Sequence, residues 1–275
     1  MKFDSNLGLP SLPIDIAYNA TATHYINILM GIMALAAFVY SIREYIKTKS
    51  FIPLALSIGS IFICITEVFV DIMGCVYYPT SKNDIAFTIM GRQMGWFIVL
   101  AWCGYGAVFA NVFYKVFDKK LGAKTIWITV AIAAIAEIVL EEVITAFDIY
   151  VYYGNQPLVL IHNLPWWWIP CNVGGVFLAA CIAYYFKDIL TGARAFLFII
   201  VVPCAMGASY ALVALPSWIA VNGEYSSIIT QLAGILTLIL SFMVFSMEMN
   251  IFLKINPFDL KKKNYSINHQ LDEIK

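Results

Sequence analysis

Four carboxylates stand in one apolar run, Glu137-Ile-Val-Leu-Glu141-Glu142-Val-Ile-Thr-Ala-Phe-Asp148. At 3.6 residues per turn Glu137, Glu141 and Asp148 share one helix face, while Glu142 points about 100° away. A carboxylate near a bilayer centre costs roughly 2.5–3.5 kcal/mol on insertion scales, so the cluster is expected to face a bundle interior or a wet cavity rather than lipid. The plainer alternative is that these acids sit shallow, near the interface, and reach water. Glu67 and Asp71 repeat the four-residue spacing in an earlier apolar run. Crowded, desolvated carboxyls favour the protonated form, and a carboxyl that keeps its proton near neutral pH can act as a Brønsted acid. Glu67, Asp71, Glu141 and Glu142 are the residues expected to carry such chemistry.

Aromatic residues make up 15% of the chain. An interfacial belt accounts for Tyr77, Tyr78 and the triplet Trp166-Trp167-Trp168. Trp102, two turns into its run, fits better in an aromatic-lined cavity, where ring faces can stabilise a cation. Acids that protonate and rings that hold a cation point together to isoprenoid carbocation chemistry. The side chains expected to bind substrate beside the acids are Tyr78, Arg92, Trp96, Tyr153, Asn172 and the Trp triplet. Arg92 and Asn172 are the polar groups placed by depth to partner the carboxylates.

Positioning these residues requires membrane helices. The chain has 275 residues, 61% of them hydrophobic and 12% charged, with a mean hydropathy of +0.81. A soluble domain would carry about twice that charge density. The sequence therefore reads as an all-α polytopic membrane protein. Its 17 basic and 17 acidic residues leave no basic stripe for nucleic acid. The six cysteines lack the spacing of a zinc site or a disulfide framework and read as small buried hydrophobes. Residues 1–24 are polar, with Pro10 and Pro13, and do not form a signal peptide, so the first hydrophobic helix is expected to act as its own signal.

Apolar runs at about 25–46, 52–76, 94–117, 124–148, 166–186, 193–215 and 227–252 predict seven spans. Basic residues concentrate in alternate loops, around Arg43 to Lys49, Lys115 to Lys124, Lys187 to Arg194 and Lys254 to Lys263. The positive-inside rule makes that side cytoplasmic. It predicts an outside N-terminal segment (1–24), a transmembrane domain (25–252) and a cytoplasmic polar tail (253–275). Lys261-Lys-Lys263 suits anionic headgroups. Glu67-Val68 followed by Val76-Tyr77-Tyr78 recurs 75 residues later as Glu142-Val143 followed by Val151-Tyr152-Tyr153. This predicts a parallel internal repeat with Glu67 and Glu142 as equivalents in one polar cavity, since such repeats often place a site at their interface.

Several seven-helix functions are excluded. The last run has no lysine to hold retinal. Intramembrane histidines for zinc hydrolysis are missing, since the chain has only His24, His162 and His269. Asp-rich magnesium motifs of class I prenyltransferases do not occur. The third run ends Phe113-Tyr-Lys115-Val-Phe-Asp118, unlike the Asp/Glu-Arg-Tyr end of G-protein-coupled receptors.

Glu67-x-x-x-Asp71 ahead of Tyr77-Tyr78-Pro79, and Glu141-Glu142 ahead of Tyr152-Tyr153-Gly154 and Pro165-Trp166, resemble patterns in small polytopic membrane terpenoid enzymes. These are the fungal meroterpenoid cyclases of the pyripyropene type and the membrane carotenoid cyclases and hydratases. The resemblance implies about seven helices and protonation of an alkene or epoxide by intramembrane Glu and Asp, without metal or other cofactor. It also implies a lipophilic, isoprenoid-like substrate taken from the bilayer. The late acid such families carry on a C-terminal helix has no match here unless Glu224 or Glu248 serves. Two other classes fit the same acids: a proton-coupled small-molecule carrier, favoured by the repeat and by Gly174-Gly175, Pro203, Gly207 and Pro216 as helix looseners, and a membrane binding protein without chemistry.

Overall fold

The computed structural model describes residues 9–261. Residues 1–8 of the expected outer segment and 262–275 of the expected tail, including Lys262 and Lys263, lie outside the described residues.

Helix α1 (Ala20–Thr48) starts five residues before the apolar run because Asn19 caps it. Asn19 Oδ1 accepts from the Ala22 N–H at 3.1 Å, and its Nδ2 donates to the Phe147 carbonyl at 3.1 Å, which ties α1 to a distant loop. The second run forms two helices, α2 (Ile52–Ile61) and α3 (Ile63–Gly74), bent by 46°. The bend follows the Gly59-Ser60 pair, a common cause of kinks. Ser60 Oγ donates back to the Leu56 carbonyl at 2.9 Å, a bond that bends helices. Gly59 is required there, because a Cβ would stand 2.7 Å from the Ile199 carbonyl oxygen of the helix packed against it.

After α3 come β1 (Val76–Tyr77) and a hairpin of β2 (Ile85–Ile89) and β3 (Arg92–Gly95). Met90 and Gly91 join the hairpin strands with φ of 52° and 74°, the left-handed pair of a two-residue turn. The third run is α4 (Trp96–Ala101), a π turn (Trp102–Gly106) and α5 (Ala107–Asp118). Helix α6 (Ala123–Ala146) carries the acidic cluster and leads into β4 (Val151–Tyr152). Strands β1 and β4 pair antiparallel, Val76 with Tyr152 and Tyr77 with Val151. The remaining helices are α7 (Trp168–Phe186), a 3-10 turn (Gly192–Phe196), α8 (Leu197–Val213), α9 (Leu215–Val221) and α10 (Ser227–Leu253).

Among the described residues, five helices are long and apolar enough to cross a membrane, or six if the bent α2–α3 pair forms one span. The predicted count of seven is therefore not reached on apolarity. The fourth run, 124–148, folds as α6, 24 residues long, but Lys124, Glu137, Glu141 and Glu142 dilute it below that measure. Helix α7 is the buried centre of the bundle, while α1 and α10 leave broad apolar faces exposed. Lipid is the solvent that suits those faces.

Close approach also positions the aromatic residues. A Cβ on Gly74 would lie 2.0 Å from Trp168 Cζ3. Gly74→Ala is expected to cost about 1–3 kcal/mol, the range for overpacking. Gly31→Ala, with nothing within 4 Å of the added Cβ, is expected to leave stability unchanged or slightly raised. Unfolding in mild detergent checks the pair, and equal midpoints for both variants would refute the packing argument.

Candidate active-site cavity

Four-residue spacing builds the site from three helices. Glu67 and Asp71 on α3, Glu137 and Glu141 on α6, and Trp168 and Asn172 on α7 all line one cavity. The π turn adds Trp102 and Tyr105, and the β1–β4 ribbon with its flanks adds Tyr78, Tyr150 and Tyr152. All four carboxyl residues are buried, with 3–8% of their surface exposed.

The acids differ in how they are held. Tyr105 OH donates to Glu137 Oε2 at 2.7 Å, and Asn172 Nδ2 donates to Glu137 Oε1. Tyr210 OH in turn donates to Asn172 Oδ1, so a hydrogen-bonded row links α8, α7, α6 and the π turn. Tyr152 OH donates to Glu141 Oε2 at 2.6 Å. By contrast, Glu67 Oε2 and both Asp71 oxygens have no partner among the described residues. The Trp102 indole N–H points toward Glu67 from just beyond hydrogen-bond geometry. Glu67 lies within electrostatic range of Asp71, Glu141 and Glu137.

Among the described residues, no lysine, arginine or histidine lines this cavity. Two like charges about 5 Å apart repel by roughly 3 kcal/mol at an effective dielectric near 20. The cavity is thus neutral only when its carboxyls carry protons or when a cationic group stands among them. Its volume is about 40 Å³, room for roughly three waters or the reactive end of a chain and well below the 300–1,000 Å³ that encloses a drug-sized ligand. Among the described residues, no three His, Cys, Asp or Glu side chains are grouped so as to hold a metal ion.

Several expected site residues lie elsewhere. Glu142, half-buried, accepts from the His162 N–H at 3.2 Å and from Trp166 Nε1 at 3.4 Å, outside the cavity. Its 100° offset from Glu141 turns it away once Glu137 and Glu141 face inward. Asp148 follows the end of α6 at a φ of 53° and is exposed, so it does not share that face. Trp96 is 50% exposed. Trp167 is buried but donates to Gln156 Oε1 at 3.2 Å, so Trp168 alone of the triplet reaches the cavity. Arg92 and Tyr153 stand outside it, joined by a bond from Arg92 Nη2 to Tyr153 OH at 3.1 Å. Burial pushes the Tyr153 phenol up from its usual value, with the Arg92 bond acting against the shift. A neutral phenol does not balance the guanidinium.

Glu137, Tyr105 and Tyr150 line the cavity but were not among the residues assigned a role from sequence. The four-residue spacing of Glu137 and Glu141 was a signal for the first. Neither a family model, a curated protein nor a solved structure matches the chain.

Proposed function

We propose that the protein is an integral-membrane enzyme that starts carbocation chemistry on an isoprenoid-like substrate by proton transfer from a buried carboxyl. The observation that carries this reading is the set of four carboxyls in one aromatic-walled cavity with no cation among its lining residues. Protons on the acids or positive charge on the substrate can complete such a site, and acid-initiated cation formation supplies each in turn. Glu67 through Oε2 and Asp71 through either oxygen, atoms with no hydrogen-bond partner among the described residues, are the donors in this reading. Glu137 and Glu141 use oxygens as acceptors from Tyr105, Asn172 and Tyr152. They are placed to face the developing cation and to receive a proton at the end. Trp168 and the tyrosine rings supply cation–π stabilisation.

Protonation opens an epoxide C–O bond, or adds a proton to one alkene carbon, and leaves the positive charge on the adjacent carbon. Loss of a proton from a neighbouring carbon, or capture of water, then ends the reaction. The substrate reaches the site laterally from the bilayer and inserts its reactive end.

In this reading α6 also crosses the membrane and completes the count of seven, and the N-terminus lies outside, as the basic loops suggest. The register of β1 against β4 supports the repeat, because exchanging residues 75 apart turns the pair Val76–Tyr152 into Val151–Tyr77. The test is incubation of membranes containing the protein with isoprenoid epoxides and polyenes, read as new cyclic or hydrated products. If no such substrate is consumed while proton flux appears in liposomes, the reading fails. The 46° break between α2 and α3 and the π turn in the third segment would then support a proton-coupled carrier.

A further inference from the structure

A second cavity of about 220 Å³ adjoins the first, and Asp71, Val76 and Tyr78 line both. Its other wall includes Thr80, Gln93 and Arg92. Arg92 is fixed by its place in the fold: it opens β3 directly after the Met90-Gly91 turn and pairs with Ile89. Its Nη2 is used by Tyr153, while Nη1 is buried and has no partner among the described residues. The ion pairs found among the described residues, Lys115–Glu44 and Lys187–Asp118, do not involve it. Asp71 lies within its electrostatic range but forms no such pair.

We propose that this vestibule binds the carboxylate of a lipophilic acid. The carboxylate accepts from Arg92 Nη1, and the apolar chain passes between Tyr78 and Asp71 toward the acid cavity. This deepens the function proposed above and rests on it for where the chain leads. The charge on the head group follows from the wall. One guanidinium with an unused N–H calls for one negative charge, since guanidinium and carboxylate match in geometry and charge-assisted bonds are the stronger ones. An alcohol or ester would offer the half-buried guanidinium no countercharge. A phosphate or diphosphate would bring further negative charge against a single cation with Asp71 alongside. The sizes agree with this division, because the larger cavity holds the head and proximal chain while the smaller admits the reactive end.

The test measures binding of farnesoic acid, its methyl ester and farnesol to the purified full chain in a neutral detergent, read by tryptophan fluorescence or calorimetry. The acid is expected to bind at least tenfold more tightly than the ester. Arg92→Gln should bring acid and ester within threefold of each other. Tyr153→Phe removes the Nη2 partner but not Nη1, so it should keep the preference. Glu67→Gln should also keep it, which separates head-group recognition from proton transfer. Equal binding of acid and ester by the unaltered protein, or a preference that survives Arg92→Gln, overturns the proposal. Should Arg92→Gln fail to fold, Arg92→Lys keeps a cation but loses the planar fork. It must lower the preference at least threefold, and no change there overturns the proposal as well.

Discussion

Glu67→Gln and Asp71→Asn are each expected to slow product formation by about 10²–10⁴-fold, the usual contribution of general acid–base catalysis, whereas Glu142→Gln should leave the rate within tenfold of wild type. The amide keeps the size of the side chain and removes its acidic proton. Glu67 and Asp71 line the cavity, and Glu67 Oε2 and both Asp71 oxygens have no hydrogen-bond partner among the described residues, so these acids are less committed to the protein than Glu137 and Glu141. Glu142 has its oxygens turned to the His162 N–H and the Trp166 indole. Initial rates on the most active isoprenoid, with unfolding midpoints as a control for structure, decide the matter. If both Glu67→Gln and Asp71→Asn keep more than a tenth of the rate, the donors are not these two. If Glu142→Gln alone abolishes activity, proton transfer does not take place in this cavity.

The contrast between Glu67 and Glu142 also marks the limit of what the sequence displayed. The 75-residue repeat picks out strands that do pair, Val76–Tyr77 with Val151–Tyr152. It misplaces the acids because the links before those strands differ. Cys75 alone separates α3 from β1, whereas residues 147–150 separate α6 from β4. Equal offsets in numbering are therefore unequal rotations about the helix axes. The periodicity of the acids was the better guide: Glu67 with Asp71, and Glu137 with Glu141, each keep to one face and meet. Adjacent residues of the Trp triplet point about 100° apart. Only one can face the cavity, and nothing local states which way α7 is rotated. Tyr105 was hidden for another reason, since a π turn shifts the helical register that pattern reading relies on.

Asn172→Leu is expected to destabilise the protein by about 2–5 kcal/mol, because it breaks a buried row at its middle and orphans two groups at roughly 1–3 kcal/mol each. Tyr210 OH loses its acceptor and Glu137 Oε1 loses its donor. Leucine has the heavy-atom branching of asparagine and is the larger of the two, so the loss would not reflect a cavity, and any overpacking adds to it. Tyr210→Phe leaves buried Asn172 Oδ1 without its donor and should cost about 1–3 kcal/mol. In the double variant the Tyr210 hydroxyl is no longer present to be orphaned, so its loss should fall short of the sum of the singles by about 0.5–3 kcal/mol. Asn172→Asp should be worse than Asn172→Leu unless a proton is shared, since a second carboxylate about 4 Å from Glu137 adds roughly 4 kcal/mol of repulsion at an effective dielectric near 20. The measurement is reversible unfolding in mild detergent across the four variants. Additive losses for Asn172→Leu and Tyr210→Phe would mean that Tyr210 and Glu137 are held independently. The acid-bearing α6 would then owe its seat in the bundle to apolar burial, as of Ile126 and Ala133, and the cavity would lose the fixed acceptor that its proposed chemistry needs.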